Sequence, residues 1–364
     1  VWAVVIFLRR RVRVWHIPLF WPLTLLLLIG IAGFAGTDST SATLTEVVRI
    51  AGIILVYLLA ATLITTQESR TRLRTVLLWS LSVPALLGIY QAVTKTGLQF
   101  GDVGNRIYGT FAHPNSMAFY LVVTMTVALG WMLMLPKGKR AALVLLQLLL
   151  AVLLIMTYTR SAWIGMAIVL AIVGFMRFRK ILFIGGVVAV LVLALYPFAN
   201  RILINIANVD LNQTQLVRRI TDTTDDSSFS FRTELWQQMA PEALERPILG
   251  HGLGTFTILR ERQIITFFQG TEAHNDYLRF AVETGFVGLA AFLLLLAALF
   301  RRLVAAYKAT RSTPEGTMAL AVLGLFGAYL VMSFFDNLLQ TTAAQWALWS
   351  VFASVIMMLQ PAKT

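Results

Sequence analysis

Apolar residues fill this chain in long blocks separated by short polar segments. Runs of bilayer-crossing length, roughly 17–25 residues, occur near 17–36, 47–66, 75–93, 115–135, 141–159, 162–176, 181–199, 284–300, 317–335 and 342–359. The pattern therefore predicts ten membrane-spanning helices. The block 162–176 is short, but the basic side chains after it can snorkel to the interface. A further apolar run, "VWAVVIFL" from Val1, is too short to span by itself. The expectation is that residues precede it, which makes this a truncated eleventh helix and about twelve in the full chain. The run lacks the small-residue cleavage pattern of a signal peptide.

One connection differs from the others. Residues 200–274 form the single long polar segment, and connections above about 15 residues are uncommon and often functional. The chain divides accordingly into N-terminal helices over 1–199, a loop region over 200–274 and C-terminal helices over 275–364. Within the loop, "FRTELWQQMAPEALERP" predicts an amphipathic helix with Leu235, Trp236 and Met239 on one side. "LGHGLGTF" reads as a glycine-rich turn, and "TILRERQIITFF" as a second amphipathic piece lying on the membrane. There is no internal repeat and no low-complexity tract.

Composition agrees with the blocks. The 364 residues are 58% hydrophobic and 13% charged, with a mean hydropathy of +0.77; soluble domains carry about a quarter charged residues. The fold class is an all-α polytopic membrane protein. A net charge of +13 could point to nucleic acid, but the placement of the basic residues argues for topology instead. Basic clusters occupy every second connection: "RRRVR" from Arg9, "RTRLR" from Arg70, "KGKR" from Lys137, "RFRK" from Arg177, then Arg301 to Arg311, and Lys363. By the positive-inside rule these lie in the cytoplasm, and the long loop lies outside. No nucleic-acid partner is expected. Cysteine is absent, which excludes disulfides and thiolate chemistry.

Candidate chemistry collects on the outer side. His113, His251 and His274 fall there, as do Arg106, Arg160, Arg218, Arg219, Arg232, Arg246, Arg260, Arg262 and Arg279. Arg160 sits in "MTYTRSAWIGM" at a corner with almost no loop, where a guanidinium needs a partner or a wet cavity. It either snorkels, pairs with an acid such as Asp222 or Glu272, or meets a substrate. Arg232 opens the predicted loop helix, with Ser228 or Ser230 as cap. A helix N-terminus favours anions, and an arginine there sharpens a phosphate site by bidentate bonding; the alternative is a surface pair with the helix's own acids.

His274 precedes a helix that starts near Asn275 and enters the span at Gly285. It either caps that helix or, with Glu272 close by, acts as a general base. His113 before Pro114 caps the next helix or faces the same cavity. The acids Asp222, Asp225 and Asp226 lack calcium-loop spacing and read as a solvated turn. "GHGLG" has neither the lysine nor the strand of a phosphate loop. Asp336 with Asn337 is explained by solvation at an outer turn.

Four stretches, "NRIYGTFAHPNSMAFYL", "TYTRSAWIG", "FRTELWQQMAPEALERPILGHGLGTF" and "AHNDYLRFAVETGFVGLAAF", together resemble the O-antigen ligase/polymerase superfamily of bacterial inner-membrane proteins. They occur in the family's order between Asn105 and Phe292, while the remainder of the chain supports the match only through topology. The resemblance implies a GT-C-type glycosyltransferase in the inner membrane, with its active site facing the periplasm. It implies transfer of a glycan from undecaprenyl pyrophosphate to a sugar hydroxyl of lipid A–core, by a metal-independent, inverting displacement without a cofactor. Its functional residues map onto Arg160, Arg232 and His274. His113, Asn275 and Tyr277 complete the set of candidate substrate contacts, and a monomer among membrane lipids is expected. Thr159 stands where the family often has serine, a small departure because the following arginine is kept.

Two relatives within the family use the same donor: a polymerase with a second lipid-linked repeat as acceptor, and a ligase that glycosylates proteins. A transporter is the reading from another class. It predicts ionisable groups at mid-membrane and discontinuous helices in paired repeats, whereas the blocks here are almost free of charge.

Overall fold

The computed structural model describes Phe7 and residues 12–99, 105–179, 227–263 and 272–359. The predicted span 181–199, Arg218, Arg219, Asp222, Asp225, Asp226 and the side chains of Ser228 and Arg262 lie outside the described residues. The helices are α1 (Phe20–Ala32), α2 (Thr40–Leu63), α3 (Gln67–Trp79), α4 (Ser82–Thr94), α5 (Pro114–Met134), α6 (Ala141–Met156) and α7 (Arg160–Arg177). The loop region contributes α8 (Ser227–Met239), α9 (Glu242–Glu245) and α10 (Phe256–Gln263), and α11 (Asp276–Thr310), α12 (Pro314–Phe335) and α13 (Thr342–Ile356) follow. Leu98–Gln99 and Asn105–Arg106 form a minimal antiparallel pair, β1 and β2.

Among the described residues, seven helical segments are long and apolar enough to cross a membrane, with α3 and α4 counting as one. The segments at α1 and α6 are shorter and equally apolar. This is an all-α, multi-pass membrane protein. Nine of the ten predicted blocks coincide with helices, and the tenth is 181–199.

One expected connection is helical. The charge pattern places Arg70, Arg72 and Arg74 in a connection, yet they lie in the first turns of α3. Thr66 and Ser69 form a capping box there, and arginine is a good helix former, so the helix starts before the apolar block does.

α5 is apolar all round and is buried on every side along most of its length, as a central helix must be. α12 packs along it and also touches α7 and α11, while α13 lies on α2. Trp21, Trp79, Leu86, Leu145 and Phe175 face outward, where lipid is the only medium that tolerates them in such number.

A second, smaller core joins the loop region to the membrane helices. Leu235 and Met239 of α8, Ala243 of α9, and Phe256 and Leu259 of α10 pack with Ala281 and Val282 at the head of α11. Of the predicted piece "TILRERQIITFF", the part through Gln263 lies in α10, with Leu259 buried in protein, and residues 264–268 lie outside the described residues.

α11 is discontinuous. At Gly285 the backbone turns out of the helix with φ 65° and ψ −176°. The break frees the carbonyls of Val282 and Glu283, which accept hydrogen bonds from the backbone of His251 and Gly252 at 3.1 and 2.9 Å. The Phe286 amide donates to Pro247 O at 2.7 Å. The glycine-rich turn of the loop is therefore the partner that makes a broken helix affordable inside a membrane. Glycine is required at Gly250 as well, since its φ is 65° and a Cβ would lie 2.4 Å from the Glu283 carbonyl carbon.

An ion network locks the half-helix Asp276–Thr284 in place. Arg279 donates to Glu46 of α2 at 2.7 Å and to Glu283 at 3.0 Å, and Arg49 pairs with Glu46. Glu283 also accepts from the Phe256 amide at 3.2 Å. Two acids and two arginines balance, which is the condition for burying such groups.

Candidate active site

His274 stands immediately before the half-helix of α11, in a left-handed conformation with φ 47°. A non-glycine residue rarely adopts that region, and strain of this kind gathers at functional positions. The next residue, Asn275, caps the helix: its Oδ1 accepts from the amides of Tyr277 and Leu278, both at 3.0 Å. The capping role that the sequence left open for His274 is thus filled by its neighbour, and the imidazole is left half-exposed.

The partner of His274 is Asp336, whose Oδ1 lies 3.4 Å from Nδ1. Sequence reasoning missed this residue, reading it as a solvated turn, and named Glu272 instead. Glu272 accepts from the Asn337 side chain at 3.4 Å. Asp336 and Asn337 are buried, because the short connection after α12 folds over the mouth of α11. Asn337 Oδ1 receives the Asn275 amide at 3.3 Å, and the buried Asp276 accepts from the Leu338 amide at 3.1 Å. Burial alone would raise the Asp336 carboxyl, but the hydrogen bond and charge of His274, with the charges of Arg232 and His113, hold it below the usual carboxylate range.

Arg232 occupies the sixth position of α8, so the expected site at a helix N-terminus does not exist there. The side chain is half-buried, and the carboxylate acting on it is Asp336, from another element, not an acid of its own helix. Leu235 and Met239 anchor α8 in the small core, and Trp236 donates to Ala273 O at 2.8 Å. These contacts tie the helix that carries Arg232 to the segment that carries His274.

Arg160 is the first residue of α7. The corner before it turns through Tyr158 at φ 50°. Arg106 of β2 braces this corner, donating to Thr157 O at 2.8 Å, Thr159 Oγ1 at 3.0 Å and Asn115 Oδ1 at 2.7 Å. The charge of Arg232 acts on Arg160, a guanidinium from a distant element. His113 caps α5, its Nδ1 accepting from the Asn115 amide at 3.1 Å. Burial first, then the charge of Arg106, lower the His113 imidazole to about 4, against the pull of Asp336.

His274, Arg232 and His113 thus act on Asp336 at one end of the helix bundle, and Arg160 lies within range of the charge of Arg232. Asn275 and Tyr277 serve differently. The Asn275 side chain is spent on the cap, and the Tyr277 hydroxyl donates to Leu330 O at 3.0 Å with its ring against Phe292 and Phe334.

One group of metal-type ligands occurs among the described residues. Glu242, Glu245 and His251 bring ligand atoms within 4.8 Å of one another. The cluster is separate from His274. His251 lies between Asp38 at 3.4 Å and Glu242 at 3.5 Å, and Arg246 reaches Asp38 at 3.7 Å, so these groups fasten α9 to the turn before α2.

A multi-pass bundle with a cationic and imidazole cluster at one end, covered by a loop region with its own small core, defines the class. Comparison with known proteins narrows it. A family model described as O-Antigen ligase matches residues 145–293, a stretch that contains Arg160, Arg232 and His274. The match supports membership of the O-antigen ligase/polymerase superfamily. A solved chain from work titled "Structural coordination of polymerization and crosslinking by a peptidoglycan synthase complex" is similar over 93% of this chain and 96% of its own. It shares 16% of residues at a TM-score of 0.54, a likeness of fold alone. No curated protein matches.

Proposed function

We propose that this protein is a glycosyltransferase of the periplasmic membrane face, transferring an O-antigen glycan from undecaprenyl pyrophosphate to a sugar hydroxyl of lipid A–core. The observation that supports the reading is the His274–Asp336 pair with Arg232 acting on Asp336 and Arg160 within range of Arg232, contributed by four separate elements. The family match adds the chemistry of the pathway, and it covers ligases and polymerases alike.

The reaction needs little beyond this set. The acceptor oxygen attacks the anomeric carbon while the bond from that carbon to the diphosphate oxygen breaks. The electron pair goes to the diphosphate, where Arg160 and Arg232 stabilise it, and inversion follows from attack on the opposite face. Preorganised positive groups at a developing anion contribute about 2.7–4 kcal/mol each. The acceptor proton passes to His274 through Nε2, since Nδ1 faces Asp336 and is thereby fixed in tautomer. A positioned base of this kind contributes roughly 100- to 10,000-fold.

The arginines take the place of a divalent ion, so full activity in EDTA is the expected result. The ligase reading is tested in a deletion strain. Free core with accumulated lipid-linked polymer supports it, and core bearing one repeat assigns the chain to the polymerases.

A further inference from the structure

At the far end of the bundle from His274, two arginines lie together, neither in an ion pair among the described residues. Arg74 is 7% exposed, on the inner face of α3. Its guanidinium donates to Arg70 O at 3.2 Å, Thr71 Oγ1 at 2.9 Å and the Met134 sulfur at 3.2 Å, and lies over the Trp131 ring at 5.6 Å. All of these partners are uncharged. Arg70, one turn earlier and half-buried, donates to Thr65 O at 3.0 Å and Gln67 Oε1 at 3.4 Å. The two positive charges repel, and Glu315, which lines the same cavity and acts on both, is within ion-pair distance of neither. A buried charge is ordinarily paired with a counter-charge.

The site has a definite shape and depth. Arg70, Arg74 and Glu315 line a cavity of about 20 Å³ whose other walls include Leu73, Met318 and Met358. That volume holds about one water, and Arg70, half-exposed, is the member of the pair that a larger group can reach. Trp131 and Met134 end α5, about 30 Å from its cap at His113. The pair therefore sits at the opposite membrane surface from the histidine cluster. Lys137, Lys139 and Arg140 follow directly in the chain. A cationic pocket with apolar walls at that level fits an anionic phosphate group attached to acyl chains.

We infer that Arg70 and Arg74 form a binding site for the phosphate of an anionic phospholipid headgroup. The inference is independent of the transfer chemistry at the other end. The test uses the purified chain in neutral detergent with an equimolar mixture of phosphatidylglycerol and phosphatidylcholine, read by native mass spectrometry. Several-fold preferential retention of phosphatidylglycerol is expected, lost in Arg70→Gln and Arg74→Gln and kept in Lys139→Gln, which lies outside the pocket. Arg70 is half-exposed, so its variant remains informative if Arg74→Gln fails to fold. Added inorganic phosphate should leave the lipid bound. Its displacement by phosphate would assign the pair to free anions and overturn the lipid reading. Equal retention of the two lipids, or an unchanged preference in Arg70→Gln, overturns it too.

Discussion

His274 and Asp336 lie 62 positions apart in the chain and 3.4 Å apart in space. The mechanism gives each a separate prediction. His274→Ala should lower transfer roughly 100- to 10,000-fold while the protein still inserts and folds. Asp336→Asn keeps the shape of the pair and removes its charge, so it should lower the rate constant more than the acceptor KM and move the pH profile. An unchanged pH profile in Asp336→Asn would separate the carboxylate from the base. Arg160→Lys and Arg232→Lys should each lose up to roughly 100- to 1,000-fold, the scale of removing one preorganised donor. His113 makes a prediction about stability. Its imidazole is lowered to about 4 in the fold, against an unperturbed value of about 6.5. The unfolded chain then binds the extra proton first, so stability present above pH ~6.5 is lost as pH falls toward about 4. Protonation would also remove the acceptor for the Asn115 amide. Melting temperatures across that range should fall with pH in the wild type and respond less in His113→Asn, which can still cap α5.

At the scale of elements, the broken helix α11 holds the site together. His274 and its cap Asn275 lead directly into its first half, and its break gives the loop region somewhere to bond. Gly285→Ala would place a Cβ 2.4 Å from the Ile248 carbonyl and at φ 65°, so the variant should show a large loss of folded protein by fluorescence-detected chromatography. Equal melting of the variant would mean that the break is dispensable. The element boundaries show what the sequence could disclose. Apolar blocks were legible because lipid imposes length and composition directly, and α8 because its apolar side recurs at helical spacing. The break was illegible, because a glycine inside an apolar run looks like many others in membrane helices. Arg70 and Arg74 were read as a loop because charge marks membrane sides without marking where a helix begins. Asp336 was read as solvated because nothing local to "FFDNLLQ" says that this turn folds back over His274.

At the scale of the molecule, the two ends of the bundle carry different chemistry: an imidazole, carboxylate and arginine cluster at one, and a pair of arginines in a small cavity at the other. Charge bias predicts that the first end faces outward. The absence of native cysteine makes that orientation directly measurable. A single cysteine introduced at Lys139 should react with impermeant maleimide only after the cells are opened, and one at Gln340 should react in intact cells. The reverse pattern would put the cluster on the cytoplasmic side, away from any periplasmic acceptor.

In the proposed reaction His274, aided by Asp336 and two arginines, would transfer a glycan between lipids without a metal. The most direct measurement incubates purified protein with undecaprenyl-pyrophosphate-linked glycan and lipid A–core in EDTA, followed by gel mobility of the lipopolysaccharide product. The account predicts product from the wild type and none from His274→Ala. Product formed equally by both, or formed only when magnesium is restored, would contradict it.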